Sequence, residues 1–181
     1  MATDTRRNLD IFTLFSVGAF AGAHLFIGLS MGTYWLSLDP VVFMETFFGQ
    51  WLRFLATIMP LLLMSLYFLI RSARRDAADP ALARLWRLAI WYLIADCLIT
   101  ALFHMPLNLR LGAATFSPEQ AATSALYGVL SLFGSVTPDT ASFTRAIWLT
   151  GHIPRILLTI ACFYFAARAV LDRRPQDAAF A

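Results

Sequence analysis

Four apolar stretches, each near or above the ~20 residues that a bilayer core demands, restrict this chain to few folds. They run from Ile11 to Leu36, Phe47 to Ile70, Leu85 to Leu107 and Ile147 to Val170. Hydrocarbon offers no water to unpaired backbone groups, so each stretch has to close its own hydrogen bonds as a helix. Composition agrees, because 59% hydrophobic and 14% charged residues lie outside the soluble globular range. The expected fold is all-α: an integral membrane four-helix bundle forming a single transmembrane domain over residues 1–181.

The connections differ in kind. Ser37 to Thr46 is short, Arg71 to Arg84 is polar, and Asn108 to Ala146 is long and weakly polar. All 14 basic residues are arginine, for a net charge of +3. If four helices alternate, Arg6, Arg7, Arg71, Arg74, Arg75, Arg84, Arg87, Arg168, Arg173 and Arg174 share one side. Only Arg110 and Arg145 fall in connections on the other. The positive-inside rule then predicts cytoplasmic termini, as in a bacterial inner-membrane protein. Nucleic acid is not an expected partner, because the positive charge is confined to segment ends. Tyr34, Trp35, Trp51 and Trp148 are expected at the outer interface, and Trp86 and Trp91 at the inner one.

Ala21-Gly22-Ala23 resembles a signal-peptide cleavage site, but the apolar run continues well past it and favours a retained helix. Gly18/Gly22 and Gly28/Gly32 have the spacing of close helix contacts. Cys97 and Cys162 lie in apolar surroundings as small hydrophobes. Between the third and fourth spans, Ser117-Pro118-Glu119 signals a helix start. Ala125 to Phe133 is apolar enough to lie on the membrane or cover the bundle, so an extra outer-side amphipathic helix or lid is expected there.

Ionisable groups within the spans are costly and mark candidate functional positions. They are His24, Arg53, Asp96, His104, His152 and Arg155. Asp96, Thr100, His104 and Asn108 recur every fourth residue, predicting a polar stripe on one helix. Trp148, His152 and Arg155 are spaced to share a face of another. Counting the helical rise places His24 and Asp96 near the midplane, where a mutual pair is expected. Arg53, His104, His152 and Arg155 fall within about two turns of the outer surface. Pro60, Pro106 and Pro154 interrupt three spans, a disturbance tolerated at membrane depth where it lines a cavity. The expected catalytic layer is His104, Asn108, His152 and Arg155, with Trp148, Arg53, His24 and Asp96 contacting substrate. Arg53 could equally snorkel to the surface, while Asp39 and Glu45 suit solvated loops.

The segments His104-Met105-Pro106-Leu107-Asn108 and Trp148-x-x-x-His152-x-x-Arg155 resemble the anthrone oxygenase-like family of small four-helix membrane proteins. The likeness extends over most of the chain, including the Gly-rich first helix and Leu38-Asp39-Pro40. Asn108, Trp148, His152 and Arg155 match by position. His104 departs, asparagine being commoner there. The resemblance implies oxidation of the central carbon of a polycyclic phenolic anthrone to a quinone, with no evident cofactor. His152 or His104 would then remove an acidic proton, and Arg155 and Asn108 would stabilise the oxyanion.

Two other function classes fit the residues. One is a metal site built from His24, His104 and His152, with or without Asp96, suiting zinc, copper or iron. The other is a non-enzymatic bundle that binds a lipid, a quinone or a partner subunit, with homo-oligomerisation through the glycine motifs. In the first reading the partners are a hydrophobic aromatic small molecule and the lipid bilayer.

Overall fold

A computed structural model describes the backbone of residues 2–178 and the side chains of residues 6–173. Arg174, which contributes to the arginine bias, lies outside the described side chains. The described residues are 91% helical, with no strand among them. Among them four helices are long and apolar enough to cross a membrane: Arg6–Ser37, Pro40–Arg75, Pro80–Ala113 and Pro138–Arg173. The fold is therefore an all-α membrane helical bundle, as expected.

In chain order the helices are α1 (Ala2–Leu25), α2 (Gly32–Ser37), α3 (Pro40–Arg75), α4 (Pro80–Ile99), α5 (Met105–Ala113), α6 (Pro118–Thr123), α7 (Ala125–Leu130) and α8 (Pro138–Ala178). A π-helical turn at Phe26–Met31 joins α1 to α2, and another at Thr100–His104 joins α4 to α5. All four spans run longer than their apolar cores. The expected loop Ser37–Thr46 shrinks to Leu38-Asp39, because a polar cap followed by proline starts α3 early. Asp39 accepts the Val41 amide at 2.8 Å, with Pro40 at the first helical position. Asp79 does the same for Ala81 and Leu82 ahead of Pro80. Ser117 and Gln120 form a reciprocal capping box ahead of Pro118, and Thr137 bonds Thr140 ahead of Pro138. Proline suits that position, where its missing N–H would have no helical acceptor.

The π turn before α5 has a visible cause. Pro106 has no N–H for the Leu102 carbonyl and its ring crowds that oxygen, so the helix widens over Thr100–His104. Such turns are frequent at functional sites.

By internal contacts the chain divides into two compact units. Of the described residues, the first comprises 2–25, 58–96 and 155–178. Its core packs Val17 and Phe20 of α1, Leu69 of α3, Trp86, Ala89 and Leu93 of α4, and Cys162, Ala166 and Ala169 of α8. Gly18 admits the Phe163 ring, which would stand 3.2 Å from an added Cβ. The second comprises residues 26–57 and 97–154. Its core is aromatic: Trp35, Phe43, Phe47 and Trp148 are all buried. Close approach to the backbone is needed at Gly151, where an added Cβ would clash with the Phe103 ring, and at Gly112, where it would meet the Phe48 ring at 2.7 Å.

The expected aromatic belts need correction. Trp35, Trp86 and Trp148 are interior, whereas Tyr34 and Trp91 are exposed. A buried indole is tolerated when its N–H finds an acceptor, and each of the three has one. Trp35 donates to Gln50 (2.5 Å), Trp86 to Asp76 (2.9 Å) and Trp148 to Asn108 (2.7 Å).

Candidate functional site

Each unit buries polar side chains within its membrane-spanning helices. In the first unit, His24 of α1 and Asp96 of α4 stand 3.6 Å apart, as their matched depth predicts. Arg155 of α8 joins them: its Nε donates to Asp96 at 2.9 Å and its Nη2 to His24 Nε2 at 2.8 Å. All three side chains are buried. A guanidinium can only donate and a carbonyl can only accept. His24 Nδ1, 3.1 Å from the Phe20 carbonyl, therefore carries the hydrogen, and Nε2 offers its lone pair to Arg155. The result is a neutral imidazole beside one compensated ion pair. The sequence groups Arg155 with His104, Asn108 and His152, and in the structure Arg155 bonds Asp96 and His24. The reason is electrostatic: a buried carboxylate needs a counter-charge and direct hydrogen bonds, and neutral His24 supplies no charge.

In the second unit, Trp148 of α8 is the hub. Its indole stacks on His152 (centroids 5.2 Å apart, planes within 10°). It meets His104 edge-on at 5.3 Å and Trp35 edge-on at 5.1 Å. Phe47 closes another side at 5.3 Å. The His104 and His152 rings lie 5.8 Å apart and nearly perpendicular. His104 Nε2 is 3.3 Å from the Trp148 carbonyl, an arrangement that places a hydrogen on Nε2. Asn108 Oδ1 accepts the Trp148 indole hydrogen, which orients the amide with its NH₂ as a further donor. His104, Asn108, Trp148 and His152 are all buried. Imidazoles can move a proton and an amide NH₂ can donate to an oxygen, so the cluster brings both kinds of group together.

Comparison with protein-family models, curated proteins and solved structures finds no match for this chain.

The polar stripe expected along the third span is thus distributed. Asp96 serves the ion pair, while His104 and Asn108 serve the Trp148 cluster. Arg53 is exposed on α3, in keeping with a snorkelling arginine. Asp39 and Glu45 are also exposed. Among the described residues no group of three or more His, Cys, Asp or Glu side chains is placed to hold a metal ion. The alternative ligand set of His24, His104 and His152 is accordingly not assembled. An open groove of about 540 Å³ is lined by Phe48, Thr115, Phe116, Gln120, Thr123 and Ser124, within the usual size range of ligand sites.

Two features escaped the sequence. Arg145 Nη1 donates to the Trp35 and Leu38 carbonyls (3.1 and 2.6 Å), tying the end of α2 to α8 within the second unit. In the first unit, Asp10, Arg75, Asp76 and Arg173 interlock. Arg75 grips Asp76 through two bonds of 2.7 Å and reaches Asp10 at 2.9 Å. Arg173 bonds Asp76 at 2.8 Å and also pairs with Asp10. Burial alone would raise the Asp76 pKa. Hydrogen bonds from Arg75 and Trp86, with the charges of Arg75 and Arg173, outweigh it and hold the carboxyl below its ordinary value.

Proposed function

We propose that the protein is a membrane-embedded oxygenase that oxidises a hydrophobic, polycyclic phenolic substrate of anthrone or quinol type by base-assisted reaction with dioxygen. The observation that carries the reading is the buried His104–His152 pair, 5.8 Å between ring centroids, packed against Trp148 with the Asn108 amide fixed beside it. It is joined by the likeness of the His104-to-Asn108 and Trp148-to-Arg155 segments to anthrone oxygenase-like proteins.

In this reading a histidine takes a proton from the methylene flanked by two aryl rings. His104 or His152 serves, because a neutral imidazole is the side-chain base best matched to near-neutral pH. The charge left on substrate delocalises onto the ring oxygen, where the Asn108 NH₂ donates to it. Arg155 has no direct part, being engaged with Asp96 and His24. The carbanion adds dioxygen at the former methylene carbon to give a hydroperoxide. Loss of water leaves a carbonyl, one oxygen atom remaining in the quinone and the other leaving in water. Substrate enters from the lipid through the groove walled by Phe48 and Phe116. Phe48 lines the groove, and its sequence neighbour Phe47 packs against Trp148. The arginine bias supports cytoplasmic termini, which put the cluster in the outer leaflet of a bacterial inner membrane.

The test is oxygen uptake by protein reconstituted in liposomes and supplied with a hydroxylated anthrone. One dioxygen consumed per quinone formed, well above protein-free liposomes, is expected. Binding of the anthrone without uptake would move the assignment to a carrier. Uptake abolished by chelators and restored by one metal would replace the base-assisted mechanism with a metal-dependent one.

A further inference from the structure

The connection between the third and fourth spans carries an apolar surface that the proposed reaction does not use. From Ala125 to Phe133 there is no charged residue. One side of this segment is firmly seated, with Leu130 buried. A Cβ on Gly112 would stand 3.2 Å from the Leu130 side chain, so α7 presses directly on α5. The other side displays Leu126 (53% exposed), Val129 (54%), Leu132 (70%) and Phe133 (54%). Positions 126, 129 and 133 recur at helical spacing and form one stripe, which Leu132 broadens.

Both ends of the segment are fixed locally. The Ser124 hydroxyl caps the Tyr127 amide at 3.3 Å. Gly134, at φ +85°, reverses the chain while its amide bonds the Ser131 carbonyl at 2.8 Å. The preceding helix α6 differs in character, exposing Glu119, Gln120 and Thr123. A lid over the buried histidines would keep its apolar residues turned inward. Here Leu130 does so, and four large apolar side chains face out.

An exposed apolar stripe of this kind needs a partner, and a charge-free one in a chain with four membrane-spanning helices has a bilayer beside it. We infer that residues 125–133 form an interfacial membrane element, with Leu126, Val129, Leu132 and Phe133 seated at the headgroup–acyl boundary of the bilayer that the spans cross. The inference is independent of the reaction the bundle performs.

The experiment places single cysteines at Leu126, Val129, Leu132 and Phe133, with Glu119 as the polar control, after Cys97 and Cys162 are replaced by alanine. Nitroxide-labelled protein in phosphatidylcholine vesicles is probed by collision with oxygen, which dissolves in lipid, and with a water-soluble nickel chelate. Oxygen should dominate at the four apolar positions and the chelate at Glu119. Chelate access at all four equal to that at Glu119 would overturn the inference in favour of a water-exposed lid. Spin–spin broadening between copies, with both reagents excluded, would overturn it in favour of a dimer contact. If the alanine background does not fold, tryptophans added at the same positions of the native chain give the same discrimination. Bromolipid should quench them more than iodide does, and the reverse order overturns the inference.

Discussion

A carboxylate in hydrocarbon persists only with a counter-charge and hydrogen-bond donors, and Asp96 obtains both from the Arg155 Nε at 2.9 Å. This assigns the three groups their tasks. Arg155 carries the compensating charge, and His24 Nε2 accepts a hydrogen from the guanidinium Nη2. Removing either Asp96 or Arg155 leaves the other's charge buried without its partner, which typically costs about 3–5 kcal/mol. Replacing both charges with apolar residues of similar volume is far milder. Asp96→Leu and Arg155→Met should therefore each lower thermal stability in detergent sharply, and the double variant should lie closer to wild type than either. Additive losses across that cycle would contradict direct pairing. Sequence showed that these residues occupy costly positions and that His24 and Asp96 share a depth. It did not show which way Arg155 points, because the periodicity of α8 left it sharing a face with His152.

Between elements, the Asp10–Arg75–Asp76–Arg173 network joins α1, α3, the turn after α3, and α8, with Trp86 of α4 donating to the same Asp76 oxygen that Arg173 reaches. The Asp76 pKa lies below its ordinary value. A depressed folded-state pKa contributes stability that is full above the unfolded carboxylate value and is lost as pH falls through the folded one. Thermal stability should accordingly decline on acidification below about pH 4. Asp76→Asn should lower stability at neutral pH and flatten that acid limb. An unchanged acid limb in the variant, followed by thermal unfolding across pH, would remove Asp76 as its source. At this scale the sequence carries more than span length. Like Ser117-Pro118, the pairs Asp39-Pro40, Asp79-Pro80 and Thr137-Pro138 mark helix starts, and taking each as a cap moves the expected boundaries to the observed ones. The interior tryptophans were less legible. An indole at a span end suits a lipid interface or a buried acceptor equally well, and the acceptors Gln50, Asp76 and Asn108 are distant in sequence or on other helices.

For the whole molecule, apolar length alone was enough to give the four spans, and the bundle follows from them. Orientation rests on the arginine bias. Ser72 is buried against Thr13 at 3.0 Å, so exposed Ala77 and Ser117 are the positions to label as cysteines. A membrane-impermeant thiol reagent added outside intact cells should modify Ser117→Cys and spare Ala77→Cys, and the opposite pattern would invert the bundle. Partner groups were legible as a set but not as an assembly. The sequence placed His104, Asn108, Trp148 and His152 among the functional residues, but that Trp148 would organise the other three depended on packing. The central claim is that this cluster, and not the Asp96–Arg155 pair, supplies the base for oxidation. It is tested most directly by anthrone-dependent oxygen uptake in liposomes, comparing His104→Ala, His152→Ala and the Asp96→Leu/Arg155→Met double variant, each checked for native thermal unfolding. Loss of about 10²- to 10⁴-fold in at least one histidine variant, with the folded double variant retaining most activity, is the predicted result. Wild-type uptake in both histidine variants, or loss confined to the folded double variant, would contradict it.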